Sequence, residues 1–253
     1  MAASEEKRSV REIQQALLDR GFDPRGVDNV MGDDTRSAIR AFQHSVGLYV
    51  DGVVGKNTLA ALFPAAATPP ASIYGDLPAS WLPKATIRRA ILHWTAGGSS
   101  PSPDDLKHYH VLWDSTGRAV RGVPTIDKND ASGARTGYAA HTLNCNTGSI
   151  GASLCGMRGA VESPFSPGPS PITRGQWDSA IRGLAQMCLR YGIPVTPQTV
   201  LTHAEVQDNL GIRQKGKWDI ARLPFDTSVV GARAVGDLLR RQVSAEIQRR
   251  STR

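Results

Sequence analysis

Ala90-Ile91-Leu92-His93-Trp94-Thr95-Ala96-Gly97-Gly98 is the stretch that settles how the larger part of this chain folds. Three apolar residues in a row, bounded by a histidine and soon by a Gly pair, are too few for a helix; they read as a buried strand ending at His93. Working outward, Tyr109 to Trp113 alternates as a second strand, and Asp114-Ser115-Thr116-Gly117 is the turn of a hairpin into Arg118-Ala119-Val120. Ser149 to Leu154 reads as a third strand, and Val195 to Leu201 as extended chain ending at Thr202-His203. Between these two, Ile181, Leu184, Met187 and Cys188 recur at helical spacing over Trp177 to Tyr191, with Gly192 as the stop. The mixture predicts an α/β domain with a central mixed sheet flanked by helices.

Ahead of that domain the chain repeats itself. Val27-Asp28-Asn29-Val30-Met31-Gly32 leads to Thr35 and Ala38-Ile39, and Val50-Asp51-Gly52-Val53-Val54-Gly55 leads to Thr58 and Ala61-Leu62. Each copy reads as a tight Asp-initiated turn, a closing glycine (Gly32, Gly55) supplying positive φ, and a capped helix start. Val10, Ile13, Leu17 and Leu18 form a helical stripe before the copies, and Ala38, Ile39, Phe42 and Val46 another between them. Residues 1–64 are therefore read as a small three-helix module, 65–84 as an Ala/Pro-rich linker, 85–228 as the α/β domain and 229–253 as a basic amphipathic helix. Within the linker, Tyr74 and Trp81 are candidates to pack on a neighbouring domain. In the last helix Val235, Leu238, Leu239, Val243 and Ile247 share one face, while Arg233, Arg240, Arg241, Arg249 and Arg250 decorate the remainder.

A formal net charge of +7 favours polyanions, which include nucleic acid, an anionic membrane and an acidic cell wall. Zinc-finger spacing, an RNP-like aromatic motif and a basic zipper are all missing, so no nucleic-acid partner is expected. The first residues hold no apolar h-region, and no apolar run reaches the roughly 18 residues of a membrane span, so residence in the cytoplasm is expected. Cys145, Cys155 and Cys188 are odd in number and lack a C-x-x-C pair, which predicts free thiols. Cys155 and Cys188 are read as core residues and Cys145 as exposed on a loop.

A hydrolytic zinc site needs three protein ligands, often His and carboxylate, and a fourth position open to water. The compact H-E-x-x-H signature is absent, so ligands would come from separate elements. His93 and His203 each end an apolar strand-like run, and strands lying side by side present their ends to one mouth. Asp219 follows His203 by sixteen positions, and Lys217 could face the same side of an extended segment as Asp219. By spacing alone, a histidine at a strand end is more often a core or surface residue than a ligand.

Five segments in order carry more weight. They are Ile91 to Gly98, Tyr109 to Gly117, Ala140-His141-Thr142 with Asn146 to Gly151, Leu201-Thr202-His203-Ala204-Glu205, and Lys217-Trp218-Asp219. Together they resemble the type-two N-acetylmuramoyl-L-alanine amidases, whose fold is shared with peptidoglycan recognition proteins and phage lysins. The resemblance covers roughly Ile87 to Phe225. The amino-terminal repeat, through Ile39-Arg40-Ala41-Phe42-Gln43 and Val50 to Gly55, independently resembles the peptidoglycan-binding module of wall hydrolases.

The resemblance implies zinc held by His93, His203 and Asp219, and hydrolysis of the amide between N-acetylmuramic acid and L-alanine of peptidoglycan. It also implies that Lys217 stabilises the oxyanion and that Thr95 and His141 contact substrate, His141 serving equally well as an organiser of the site. One departure stands out. Many bacterial members carry a catalytic Glu in the third strand, where this chain has Ser153. In the lysin and recognition branches a tyrosine before the hairpin histidine serves, and Tyr109 occupies that place. His110 is read as packed, and His108 and His44 as surface residues.

The architecture suggests a monomeric phage or prophage endolysin, held in the host cytoplasm until it is released to the wall. For the basic terminal helix, packing, contact with an anionic outer-membrane surface and a partner helix all remain open. A non-catalytic peptidoglycan recognition protein is a competing reading, favoured by the missing Glu. A peptidase acting elsewhere on the stem peptide is another.

Overall fold

The computed structural model describes residues 8–63 and 72–252, and the chain divides into two units, 1–69 and 70–253. In the first, helices α1 (Val10–Leu18), α2 (Asp33–Ser45) and α3 (Lys56–Leu62) enclose Ile13, Leu17, Ile39, Phe42 and Leu62. Ser9 opens α1 with a capping box: its hydroxyl accepts from the Glu12 amide, and the Glu12 carboxylate accepts from the Ser9 amide.

The repeat is built around a buried glutamine in each copy. Gln14 Nε2 donates toward Asp28 Oδ1 at 2.7 Å, Val30 O at 3.0 Å and Thr35 Oγ1 at 3.0 Å, while its Oε1 accepts from the Asn29 amide. Gln43 does the same with Asp51, Val53, Thr58 and the Gly52 amide. The repeated Asp and Thr therefore saturate a buried amide that would otherwise be costly. Asp28 and Asp51 also accept from the amide two residues on. That turn drives the residue between into the left-handed region, Asn29 at φ 67° and Gly52 at φ 74°. The expectation that Gly32 and Gly55 need positive φ is thus overturned: they are helix N-caps at φ −84° and −82°, with no side-chain cap. Val46 lies past the end of α2 and is exposed, outside the predicted stripe.

The second unit contains β1 (Ser72–Ile73), β2 (Arg89–Trp94), β3 (Val111–Trp113), β4 (Ala119–Arg121), β5 (Ser149–Leu154) and β6 (Val200–Thr202). They form one mixed sheet in the order β1-β4-β3-β5-β2-β6, antiparallel from β1 to β3 and parallel from β3 to β6. Its helices are α4 (Asp105–His108), α5 (Arg174–Tyr191), α6 (Val206–Leu210) and α7 (Ala232–Ser251). The predicted architecture, a mixed sheet flanked by helices behind a small helical module, is what the chain adopts.

Because strand side chains alternate between faces, the unbroken apolar run of β2 serves two layers. Ala90, Leu92 and Trp94, with Ile150, Ala152 and Leu154 of β5, join the main core under Trp177 and Leu184 of α5 and Val235, Leu239 and Val243 of α7. Ile91 packs with Leu201, Val206 and Cys145 in a smaller cluster on the other face, and His93 and Ser153 share that face as register partners.

The stretch from Ser72 to Lys84, read as linker, belongs to the second unit. Leu77, Trp81 and Leu82 are buried in its core, although Tyr74 is exposed. Gln186 of α5 clamps Leu77 by accepting from its amide and donating to its carbonyl, and Tyr191 donates to Pro83 O. Cys145 is buried rather than exposed, because its loop folds beneath Ile91. Extended pairing begins at Val200, not Val195; Pro197 cannot donate to a ladder. In α7, Val235, Leu239 and Val243 pack into the core of the second unit. Arg240, placed by sequence on the polar remainder, is buried. The cysteines are free, as expected.

Candidate active site

His93 is the next-to-last residue of β2, and His203 opens a 3-10 turn, His203–Glu205, directly after β6, the parallel neighbour of β2. The two histidines therefore meet because two adjacent strands end together. Asp219 arrives on an irregular segment that is held twice. Its carbonyl accepts from the Ala204 amide at 2.6 Å, inside the His203 turn, and Trp218 packs edge-on against Trp94, next to His93, with ring centroids 4.6 Å apart.

The result is a buried triangle. His93 Nδ1 and His203 Nδ1 are 3.0 Å apart, and Asp219 Oδ2 lies 3.2 Å from the first and 3.0 Å from the second. These separations approach the roughly 3.3 Å edge of a tetrahedron with arms of about 2.0 Å, the length of a zinc–imidazole bond. Hydrogen bonding behind the rings supports the same assignment. Gln214 Nε2 donates to Leu143 O and Ile212 O, which turns Gln214 Oε1 toward His203 Nε2 at 2.9 Å and places the proton there. The Nδ1 lone pair of His203 then faces the Asp219 carboxylate, an acceptor against an acceptor. Such a pair is favourable only with a proton or a cation between, and the donor set suits a metal such as zinc.

Burial foremost, and then the charge of His203, push His93 down to about 4. For Asp219, burial alone would raise the pKa, but hydrogen bonds from His203 and His93 outweigh it and hold the carboxyl at about 2. Both groups are thus in the forms that bind metal at neutral pH: imidazole and carboxylate.

A cleft of about 890 Å³ opens over the triangle, lined in part by Thr95, Tyr109, His141, His203, Lys217 and Asp219. The structure brings all seven sequence-predicted residues to one place, but in different settings. The Tyr109 ring lies 5.2 Å from that of His93. Burial, and then the Asp219 charge, push its pKa up, so the phenol keeps its proton. Lys217 is exposed at the cleft wall, with its ammonium in no ion pair among the described residues. Thr95 Oγ1 already accepts from the Gly97 and Gly156 amides, each at 3.1 Å, so it organises the loop behind the cleft.

His141 lines the cleft and also meets the far nitrogen of His93. Its Nδ1 lies 3.2 Å from His93 Nε2 and 2.8 Å from Thr142 Oγ1, and the residue is buried. Its ring lies where a Cβ on Gly151 would be, so the glycine of β5 makes the room. The geometry fits the organising reading better than a substrate contact. Ser153 is fully buried beside His93, and its hydroxyl, close to the Tyr109 phenol, meets no hydrogen-bond partner among the described residues. Gln214 was not singled out from sequence, and Thr142 and Trp218 entered only as members of the quoted motifs. Gln214 sits in a polar stretch without periodicity, and nothing local marks it as the partner of a histidine eleven residues earlier.

Residues 83–220 match the family model of N-acetylmuramoyl-L-alanine amidases, and residues 6–62 match that of a peptidoglycan binding domain. No curated protein sequence matches the chain. Among solved structures, it is similar to the N-acetylmuramoyl-L-alanine amidase LysC from Clostridium intestinale URNW, at 14% identity over 60% of this chain and 88% of that one, with a TM-score of 0.35. A Drosophila peptidoglycan recognition protein, PGRP-SD, is similar at 19% identity over 49% of this chain and 79% of that one, with a TM-score of 0.33. The first of the two family matches spans more than half of the sequence, and the chain belongs to the N-acetylmuramoyl-L-alanine amidase family.

Proposed function

We propose that this peptidoglycan amidase is zinc-dependent, that His93, His203 and Asp219 are its ligands, and that it cleaves between N-acetylmuramic acid and L-alanine. The observation that carries the reading is the buried triangle of two imidazole nitrogens and one carboxylate oxygen at 3.0–3.2 Å. A zinc ion there would supply Lewis-acid activation of the scissile carbonyl and of water. The remaining chemistry belongs to the chain. Asp219 and the two imidazoles, held by Gln214, Thr142 and His141, present lone pairs without reorganisation. The protonated Tyr109 hydroxyl donates to the oxygen that gains charge, or orients the attacking water. Lys217 offers a cation at the cleft wall for the same developing charge, a contribution of about 3–4 kcal/mol in comparable sites. No carboxylate at position 153 is needed in this arrangement.

A wall-binding module joined to an amidase suits an endolysin, and we assign that role, with storage in the host cytoplasm before release. If so, cells making the protein lyse only when the inner membrane is opened, and lysis without that step would refute it.

The chemical test is digestion of purified peptidoglycan by the wild type, by His203→Ala and by a chelated sample, with products identified by mass. The expected outcome is release of stem peptides beginning with L-Ala, without new glycan reducing ends, lost in both controls and restored to the chelated sample by zinc. Binding without cleavage would make the chain a recognition protein, and new termini within the stem peptide would make it a peptidase.

A further inference from the structure

The amidase match ends at residue 220, yet the turn that carries His203 is gripped by a helix beyond that point. Glu205, the last residue of the turn, is buried, and its Oε2 accepts from the Thr202 amide at 3.0 Å, which closes a capping box around His203. Arg240 of α7 meets this carboxylate in a fork, Nη2 to Oε1 at 2.9 Å and Nη1 to Oε2 at 3.2 Å. Nη1 also donates to Val200 O at 3.1 Å, in the strand that delivers the turn, and Nη2 to Asp237 Oδ1 at 2.7 Å. One guanidinium therefore ties the end of β6 to the far side of the turn.

The helix comes close enough to do this only because position 236 is glycine: a Cβ there would overlap the Glu205 carboxylate. Asp219 depends on the same turn, through the Ala204 amide. Two of the three corners of the triangle thus rest on three residues locked from behind by α7.

We propose that Arg240 is a positioning residue for the metal site, acting through Glu205, so that α7 is part of the catalytic unit rather than an appendage. This rests on the reading of His93, His203 and Asp219 as ligands. A buried ion pair adds little net stability compared with apolar residues of similar volume, but a forked one fixes geometry. The two roles can be separated on that basis. Removing both charges in Glu205→Gln/Arg240→Met spares the fold, while the turn loses its fixed position.

The experiment is zinc affinity of the full chain, by competition with a chromophoric chelator, alongside thermal unfolding. Wild type is measured first: if it binds no zinc, the ligand assignment fails, whatever Arg240 does. Where wild type binds, the double variant should keep its Tm within a few degrees and lose about 10–100-fold in affinity, the usual cost of removing a group that orients a ligand. Arg240→Lys, which keeps the charge but not the fork, should fall between the two and is the comparison to use if the double variant does not fold. Zinc affinity within twofold of wild type, in either folded variant, would overturn the proposal.

Discussion

His110 should make this protein acid-sensitive, by an amount that can be worked out. It is buried on the site face, and both ring nitrogens are engaged. Nε2 donates to Asn129 Oδ1 at 3.0 Å, and Nδ1 accepts from the Gly151 amide at 2.9 Å. Asn129 cannot reverse its amide to suit a different proton, because its Nδ2 donates to Ala139 O and Asn146 O. A second proton on the ring would set one N–H against another. Burial is the main reason the pKa falls from 6.5 to about 4. Between those values the unfolded chain binds a proton that the folded chain refuses, so stability is full above pH 6.5 and drains away as pH falls toward 4. At about 1.4 kcal/mol per unit, the total is about 3 kcal/mol.

All five tryptophans lie at or beyond Trp81, so urea unfolding followed by tryptophan fluorescence reads the second unit alone. The comparison is wild type against His110→Gln, both with chelator, from pH 7 to 4.5. The variant should be less stable at pH 7, because its ring hydrogen bonds are gone. Its stability should then decline less steeply, by about 1.4 kcal/mol per pH unit near pH 5. His93, also lowered by burial, is present in both proteins and cancels in the difference, whereas His141, lowered by burial and in part by the charge of His110, is relieved of that charge in the variant, which flattens the variant's profile further. Parallel pH profiles for the two proteins would refute the reasoning.

Four further substitutions probe the site and the module. Lys217→Ala should lower kcat by about 100-fold or more while zinc affinity stays unchanged; an equal loss of zinc affinity would mean that the ammonium acts on the ligands instead. Tyr109→Phe removes only a hydroxyl and should cost at least about tenfold in turnover, so full turnover would take Tyr109 out of the reaction. Ser153→Ala deletes a hydroxyl with no partner among the described residues and should leave stability unchanged or up to about 1 kcal/mol higher; a loss measured by urea unfolding would show that the hydroxyl is bonded after all. Gln43→Ala strands the Gly52 amide and the Asp51 turn and should destabilise the first unit by about 2–3 kcal/mol, visible by calorimetry, with wall binding falling in parallel. An unchanged first-unit transition would contradict the role given to that glutamine.

Features that depend on near neighbours are legible from the amino-acid order alone. The run Ala90-Ile91-Leu92 reads as a buried strand, which places His93 near a strand end. The hairpin at Asp114 to Gly117, the helix closed by Gly192 and the two copies around Asp28 and Asp51 were legible for the same reason: turn chemistry and hydrophobic period are local. The amidase motifs were legible through resemblance, which supplied the pairing of His93 with His203 and Asp219.

Tertiary structure decided which polar groups are buried, and against what. Gln14 and Gln43 look like any surface glutamine until the loops close over them. Arg240 has a place on the polar side of a helical wheel, and only the approach of Gly236 to Glu205 puts it inside. His141 had two readings in the sequence, and only the space over Gly151 brings its ring against His93. Leu77 and Trp81 lie in a Pro-rich stretch without period and become core only because Gln186 and Tyr191 hold the backbone to α5. In each case the partner lies far off in the chain. A buried polar group is stable only where a distant donor or acceptor meets it, and local sequence carries no record of that meeting.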